Sequence, residues 1–298
     1  MLKIKLENFS PVTLADRGTI LPILLAEDVF FCDYSFANLF MWGDIFKTRW
    51  LIDDERLWIY NGYDDLMLLP VGKAVSLPEL VAVSDMLLRE GKSGDFVLVD
   101  EDFVKENPEL EKFFKVEVDH DNGDYIYSSQ KLVDLPGNKL HKKRNLINQF
   151  LELYPDYASQ PLQASDLNTC LELAEKWCRQ RTCLELDFTH ETSALKKAFA
   201  NFAALELQGL KISRGRDMLA FSVFSRLNSN MADVHFEKFV PEIKGIGQVI
   251  NWETAKILAP GYKYINREQD LGLEGLRQAK KSYDPEYIVN AYFLARKK

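Results

Sequence analysis

The chain has 298 residues, 47% of them hydrophobic and 28% charged, with a formal net charge of −8. This composition excludes a low-complexity or disordered chain, and the length suits one large domain or two of ordinary size. The early apolar run Ile20–Leu25 is far too short to span a bilayer, and Met1–Lys5 leads straight into polar sequence without a signal-peptide pattern, so no transmembrane segment and a cytoplasmic location are expected.

In chain order, Leu14–Ala26 and Asp33–Trp42 are predicted as helices. Short strands at Thr48–Ile52, Leu57–Asn61 and Met67–Pro70 are separated by turn signals such as Asn61-Gly62. Leu77–Arg89 has the spacing of an amphipathic helix, Asp95–Val99 is a buried strand and Tyr125–Ser128 another. The second half repeats this order by pattern, though not by residue identity. Helices at Leu140–Leu153, Leu167–Gln180 and about Thr192–Leu207 precede a meander at Gly209–Ser213, Met218–Arg226 and Met231–Phe236. A helix after Gly247, a strand at Tyr262–Ile265, a helix at Glu274–Lys281 and a strand at Tyr287–Ala295 complete it. The expected fold class is α/β (α+β) in two units, 1–134 and 135–298, divided at the turn chemistry of Leu132–Gly137.

The halves differ in charge. Residues 1–134 carry 13 Lys+Arg against 26 Asp+Glu, and residues 135–298 carry 24 against 19. A polyanion would therefore dock on the second half. Its densest basic run is Lys139, Lys142, Lys143 and Arg144 with His141; Lys139 and Lys143 share a helix face that matches a tRNA or phosphate backbone, or else is simply solvated.

Two junctions in the second half point to group transfer. At Lys244-Gly245-Ile246-Gly247-Gln248, two glycines open a helix, where backbone N–H groups can face an anion and Lys244 adds charge. A tight turn capping a packed helix is the competing reading. Asn266-Arg267-Glu268-Gln269-Asp270 follows a strand directly, where open α/β folds keep their sites. An extended backbone would project Glu268 and Asp270 to one side. Arg267 and Arg277 are candidates for bidentate phosphate or carboxylate contacts. An internal salt-bridge lattice is the alternative for each of these residues. Trp177 with Arg179 and Arg181 is a candidate base stack or a helix anchor. The four cysteines, Cys32, Cys170, Cys178 and Cys183, show no disulfide or zinc framework; the four histidines suggest no triad, and no metal spacing is evident.

A meander, a Gly-loop opening a helix, then strand–helix–strand is the order of the GNAT acyltransferase fold. Two such units in tandem resemble the Fem-type and lysyl-phosphatidylglycerol synthase group of aminoacyl-tRNA-dependent transferases. The motifs are similar to those of a bacterial family related to the C-terminal domain of that synthase. They are Asp33-Tyr34-Ser35-Phe36-Ala37-Asn38-Leu39 with Trp42, Asp124-Tyr125-Ile126-Tyr127, Gly137-Asn138-Lys139 with Arg144-Asn145, and Asn266 to Gly272 continuing through Gly275-Leu276-Arg277, Ala279-Lys280, Ser282-Tyr283 and Pro285. The resemblance implies two GNAT-like units, the second carrying the active site. It also implies aminoacyl-tRNA as donor and an amine or hydroxyl acceptor, either a small molecule or a lipid. No integral-membrane region precedes the motifs, which argues against the lipid. No cofactor is needed; the alternatives are coenzyme A thioester as acyl donor, or a non-catalytic binding protein of the same fold.

For such chemistry Glu268 or Asp270 is the candidate base or ammonium grip, and Tyr283 the proton donor to the leaving oxygen. Asn266, Arg267, Gln269, Arg277, Lys280, Lys244, Gly245 and Gly247 are grouped as substrate-binding, and Lys139, Lys143 and Arg144 as tRNA- or phosphate-binding.

Overall fold

Short strands and capped helices alternate in the computed structural model, which describes residues 4–181 and 185–297, and side chains outside 178–188. The elements are β1 (Ser10–Pro11), α1 (Arg17–Ala26), α2 (Phe36–Met41), β2 (Arg49–Asp53), β3 (Arg56–Asn61), β4 (Leu66–Leu68), β5 (Val71–Gly72), α3 (Leu77–Arg89), β6 (Phe96–Val99), α4 (Glu101–Glu106) and β7 (Phe114–Ser128). There follow α5 (Ser129–Asp134), α6 (His141–Leu153), β8 (Ala158–Pro161), α7 (Leu167–Arg181), α8 (Glu185–Ala200), β9 (Gln208–Arg214), β10 (Asp217–Arg226), β11 (Met231–Phe239), α9 (Ile246–Leu258), β12 (Tyr264–Asn266), α10 (Glu274–Lys281) and β13 (Tyr287–Arg296). Among the described residues no helix is long and apolar enough to cross a membrane. Cys32 and Cys170 are buried free thiols, while Cys178 and Cys183 lie outside the described side chains.

The chain divides into two units, Met1–Asp124 with Gln269–Leu273 and Ile288–Lys298, and Tyr125–Glu268 with Glu274–Tyr287. The first break thus falls inside β7, ahead of the expected 134/135, because the end of this strand pairs with β12 of the second unit. The Pro136-Gly137 signal instead follows the end of α5, where Leu135 takes a left-handed conformation at φ 46°.

In the first unit the sheet order is β1-β2-β3-β4-β6-β13, with β5 on β3. Five consecutive buried residues of β3, Arg56 to Tyr60, mark its centre. The helix α3 starts at a capping box: the Glu79 carboxylate accepts from Ser76 N and Oγ at 2.9 and 2.7 Å. Its apolar stripe, Leu77, Leu80, Val83 and Leu87, packs with Trp58, Met67 and Phe96 in one core.

In the second unit the end of β7 is followed by β12-β11-β10-β9-β8. Leu219 to Ser225 of β10 are all buried, as expected of a strand covered on both faces, here by α7 and α9. Each unit contains the same motif. An antiparallel meander ends in a strand (β4 or β11) that a helix (α3 or α9) links to a parallel neighbour (β6 or β12). The pattern-level repeat expected from the sequence is present.

The glycines before α9 have a packing reason. Gly245 is its N-cap at φ 86°, and a Cβ there would overlap the carbonyl oxygen of Leu146 in α6. A Cβ on Gly247 would lie 2.8 Å from the Phe239 ring. Gly245→Ala is expected to destabilise the protein by about 2–5 kcal/mol in urea titration, combining left-handed strain with overpacking. Gly215→Ala, at φ 60° with no neighbour within 4 Å, loses only the strain, about 1–2 kcal/mol.

Candidate active site

In the second unit β11 and β12 pair in parallel only from Met231↔Tyr264 to Asp233↔Asn266. Beyond that point β11 runs on through Phe239, while the chain after Asn266 turns. Since α9 runs back from the end of β11 to the start of β12, its first turns sit at this opening. Asn266 Oδ1 accepts from Glu268 N at 2.6 Å, and Glu268 adopts φ 58°, a left-handed conformation uncommon for its type. Arg267 N donates to Tyr125 O at 3.1 Å, and Tyr125 N to Glu268 O at 3.3 Å. The buried Lys280 clamps the same turn, donating its ammonium to the carbonyls of Arg267 and Glu268, the latter at 2.9 Å.

Arg267 is the centre of the cluster. Its side chain is 15% exposed, and Nη2 donates to Glu237 Oε1 at 2.8 Å. Asn251 of α9, its amide oriented by this hydrogen bonding, accepts from Nη1 at 3.0 Å and Nε at 3.3 Å. The guanidinium carbon lies 5.3 Å from the Tyr283 ring centroid and 5.9 Å from that of Tyr127. Burial is the largest influence on Arg267 and opposes its charge, but the Glu237 carboxylate together with the Tyr127 and Tyr283 phenols leaves the pKa raised. Burial likewise pushes both phenols up, so Tyr283 and Tyr127 stay protonated; Tyr283 also shares a side-chain hydrogen bond with Gln248.

Lys143 completes this group from α6. Its Nζ sits 4.0 Å from the Tyr283 centroid and donates to Ser282 Oγ at 2.7 Å. Burial, and then the neighbouring charge of Arg267, bring its pKa down to about 8.

The structure redistributes the remaining expected site residues. Lys139 pairs with Asp284 at 2.9 Å, and Arg144 donates to the carbonyls of Leu135 and Gly137 at the end of α5, so the basic run is largely engaged within the protein. Lys244 is exposed, and Gly245 and Gly247 are closely packed, against Leu146 and Phe239. Glu268 and Asp270 do not project together: the left-handed backbone at Glu268 breaks the assumed extension, and Asp270 belongs to the first unit. There the buried Asp270 Oδ1 accepts from Gly272 N at 3.0 Å, and Gln269 Nε2 donates to Asp33 Oδ2 at 2.6 Å. Arg277 is half-buried on α10. The Trp177 ring is covered by Lys238 Nζ at 4.0 Å, while the Arg179 and Arg181 side chains lie outside those described.

Sequence reasoning missed Glu237, Asn251 and a second group, His235 with Asp233. His235 Nδ1 lies 3.4 Å from both Asp233 Oδ2 and Glu268 Oε1, and its Nε2 is 2.8 Å from Ser225 Oγ. The available signal was Asp233-Val234-His235-Phe236-Glu237, three polar residues at alternate positions in a strand destined for the core.

A family model described as phosphatidylglycerol lysyltransferase, C-terminal, matches residues 29–295. A conserved protein of unknown function from Bacteroides thetaiotaomicron is 33% identical, with 97% of this chain and 99% of that one covered and a TM-score of 0.90. The L-PGS of Bacillus licheniformis shares 14% identity over 95% of this chain and 92% of its own, at a TM-score of 0.65. A tandem GNAT protein from the clavulanic acid biosynthesis pathway shares 7% over 97% and 98%, at 0.51. The fold is therefore that of tandem GNAT-type proteins, as the sequence motifs implied. An uncharacterized protein of Mycoplasmoides gallisepticum is 24% identical over 190 residues, 61% of this chain and 59% of that relative, so the chain spans less than two thirds of this curated relative's length.

Two outcomes test the cluster. Amine-selective labelling followed by mass spectrometry should give a midpoint of about 8 for Lys143, against the ordinary lysine value of 10.5. Glu237→Gln should cost about 3–5 kcal/mol in chemical denaturation by leaving a buried guanidinium uncompensated, with much of the loss recovered when Arg267→Met is added.

Proposed function

The chain belongs to the phosphatidylglycerol lysyltransferase C-terminal family, and from that premise we propose that it moves an aminoacyl group from aminoacyl-tRNA onto an amine or hydroxyl acceptor, a small molecule or a lipid. Family and fold support an aminoacyl transferase of the lysyl-phosphatidylglycerol synthase or Fem type. The observation that carries the reading is the convergence of Lys143 and Arg267 on the Tyr283 ring, at the end of the short β11–β12 pairing.

Each residue has a chemical role in this reading. Lys143, with its pKa near 8, is partly neutral at physiological pH and takes the proton of the attacking amine or hydroxyl. The acceptor atom forms its bond to the ester carbonyl carbon as the ribose oxygen of the tRNA departs. The Tyr283 phenol, held protonated by burial, gives that oxygen a proton. Arg267 supplies fixed positive potential for the oxyanion that develops in between. In this reading Lys143 takes the base role in place of Glu268, which faces His235, and of Asp270, which accepts from Gly272 N. No added cofactor enters this scheme.

The test is incubation with labelled charged tRNA pools in the presence of cell extract and lipid acceptors. Label should move to an acceptor, and Tyr283→Phe or Lys143→Met should slow transfer on the order of 10²-fold. Absence of transfer from every charged tRNA, together with thermal stabilisation by acetyl-CoA and not by tRNA, overturns the proposal.

A further inference from the structure

Two strands and one turn bring three metal-type donors together. Asp233 and His235 are alternate residues of β11 and share a face of the strand; both side chains are 0% exposed. Glu268 reaches them from 33 positions along the chain, because its left-handed backbone turns the side chain back toward β11. One ligand atom from each residue lies within 4.8 Å of the other two.

Two of the three donor spacings have the length expected across an ion, and the third is within 4.8 Å. Both carboxylate oxygens stand 3.4 Å from His235 Nδ1, beyond the range of about 2.7–3.2 Å preferred by N–H···O bonds. Donors held about 2.0–2.2 Å from a tetrahedral zinc centre lie roughly 3.3–3.6 Å from one another. The other ring nitrogen supports the same assignment. Nε2 meets Ser225 Oγ at 2.8 Å, from the residue of β10 that stands opposite Asp233 in register. When that nitrogen donates to the hydroxyl, Nδ1 presents a lone pair toward two carboxylates, an arrangement that a cation between them makes favourable. A ring N–H held by an outer hydrogen-bond partner is the usual companion of a metal-binding histidine. Glu268, at 24% exposed, is the ligand of the three that solvent reaches.

We propose that Asp233, His235 through Nδ1, and Glu268 bind one divalent cation of the zinc class, with Ser225 orienting the imidazole. The imidazole selects against calcium and magnesium, which take oxygen donors. Three protein ligands leave the fourth position of a tetrahedral ion to water. The inference stands apart from the transferase reading: it concerns other side chains, and its test requires no turnover.

The test uses the full chain, stripped with a chelator, titrated with zinc chloride alone and passed through gel filtration before elemental analysis. The expected result is one zinc retained per chain, with a rise in melting temperature. His235 and Asp233 lie in the core of β11, so two milder variants carry the decision. Glu268→Gln, at the solvent side, should melt like the wild type when stripped yet lose stoichiometric zinc. Ser225→Ala should retain zinc with an affinity weakened by about 10–100-fold. A stripped wild type that retains no zinc overturns the proposal, as does zinc held equally well by wild type and Glu268→Gln.

Discussion

The organisation of the second unit depends on how briefly β11 and β12 stay together. Three residues of each strand pair in parallel, and then the strands part. Longer pairing would close a continuous sheet with apolar residues throughout. The separation instead leaves backbone and side-chain polar groups that must be satisfied locally, since an unpaired polar group in a buried position costs about 1–3 kcal/mol. Asn266 satisfies Glu268 N, Lys280 satisfies two carbonyls, and Asn251 and Glu237 share the donors of Arg267. The polar cluster therefore follows from the topology, and chemistry becomes available where the ladder ends.

The same opening drives two neighbouring cations in opposite directions. Arg267 has a carboxylate at hydrogen-bond distance and two phenols beside it, and together these favour its charge despite burial. Lys143 meets an aromatic ring and a hydroxyl, and burial lowers its pKa with Arg267 adding repulsion. A guanidinium that stays charged beside an amine that sheds its proton easily is the division of labour expected of an electrostatic stabiliser and a base. It arises from one difference in partner: Glu237 approaches Arg267 and not Lys143.

Much of the fold was legible because local signals and tertiary structure agree. The capping box Ser76–Glu79 and the spacing from Leu77 to Leu87 define α3 at the predicted residues, and the apolar run of β10 declares a strand covered on both faces. Elements stabilised mainly by their surroundings were not legible. The strand β8, mostly exposed and ending in Pro161, has neither alternation nor apolar content, and the acidic half of β7 reads as a loop. The short helices α4 and α5 rest on single capping residues, Asp100 and Ser128, too little for a periodicity argument. At the site, Arg267, Tyr283 and Lys143 were named from sequence, but their convergence was not, because it joins α6, the turn after β12 and the chain just after α10. His235 escaped for a related reason: its partners Ser225 and Glu268 lie on other strands' ends, and sequence spacing carries no trace of that proximity.

The longest family motif also shows why contiguity in sequence is a poor guide to a shared site. Asn266, Arg267 and Glu268 belong to the second unit, whereas Gln269 and Asp270 belong to the first. Positive φ angles at Glu268 and Leu271 turn the chain on either side of the change. Gln269 then reaches Asp33, which heads another family motif, and Cys32 N donates to the buried Asp124 carboxylate at 2.6 Å, from a third. In the first unit, then, one motif's Gln269 bonds to another's Asp33, and Asp124 bonds to Cys32 beside it. Those of the second unit surround an arginine, a low-pKa lysine and two phenols. The same stretch fixes a turn in one unit and arms a cluster in the other, so the carboxylates of Glu268 and Asp270, two positions apart, answer to different chemistry.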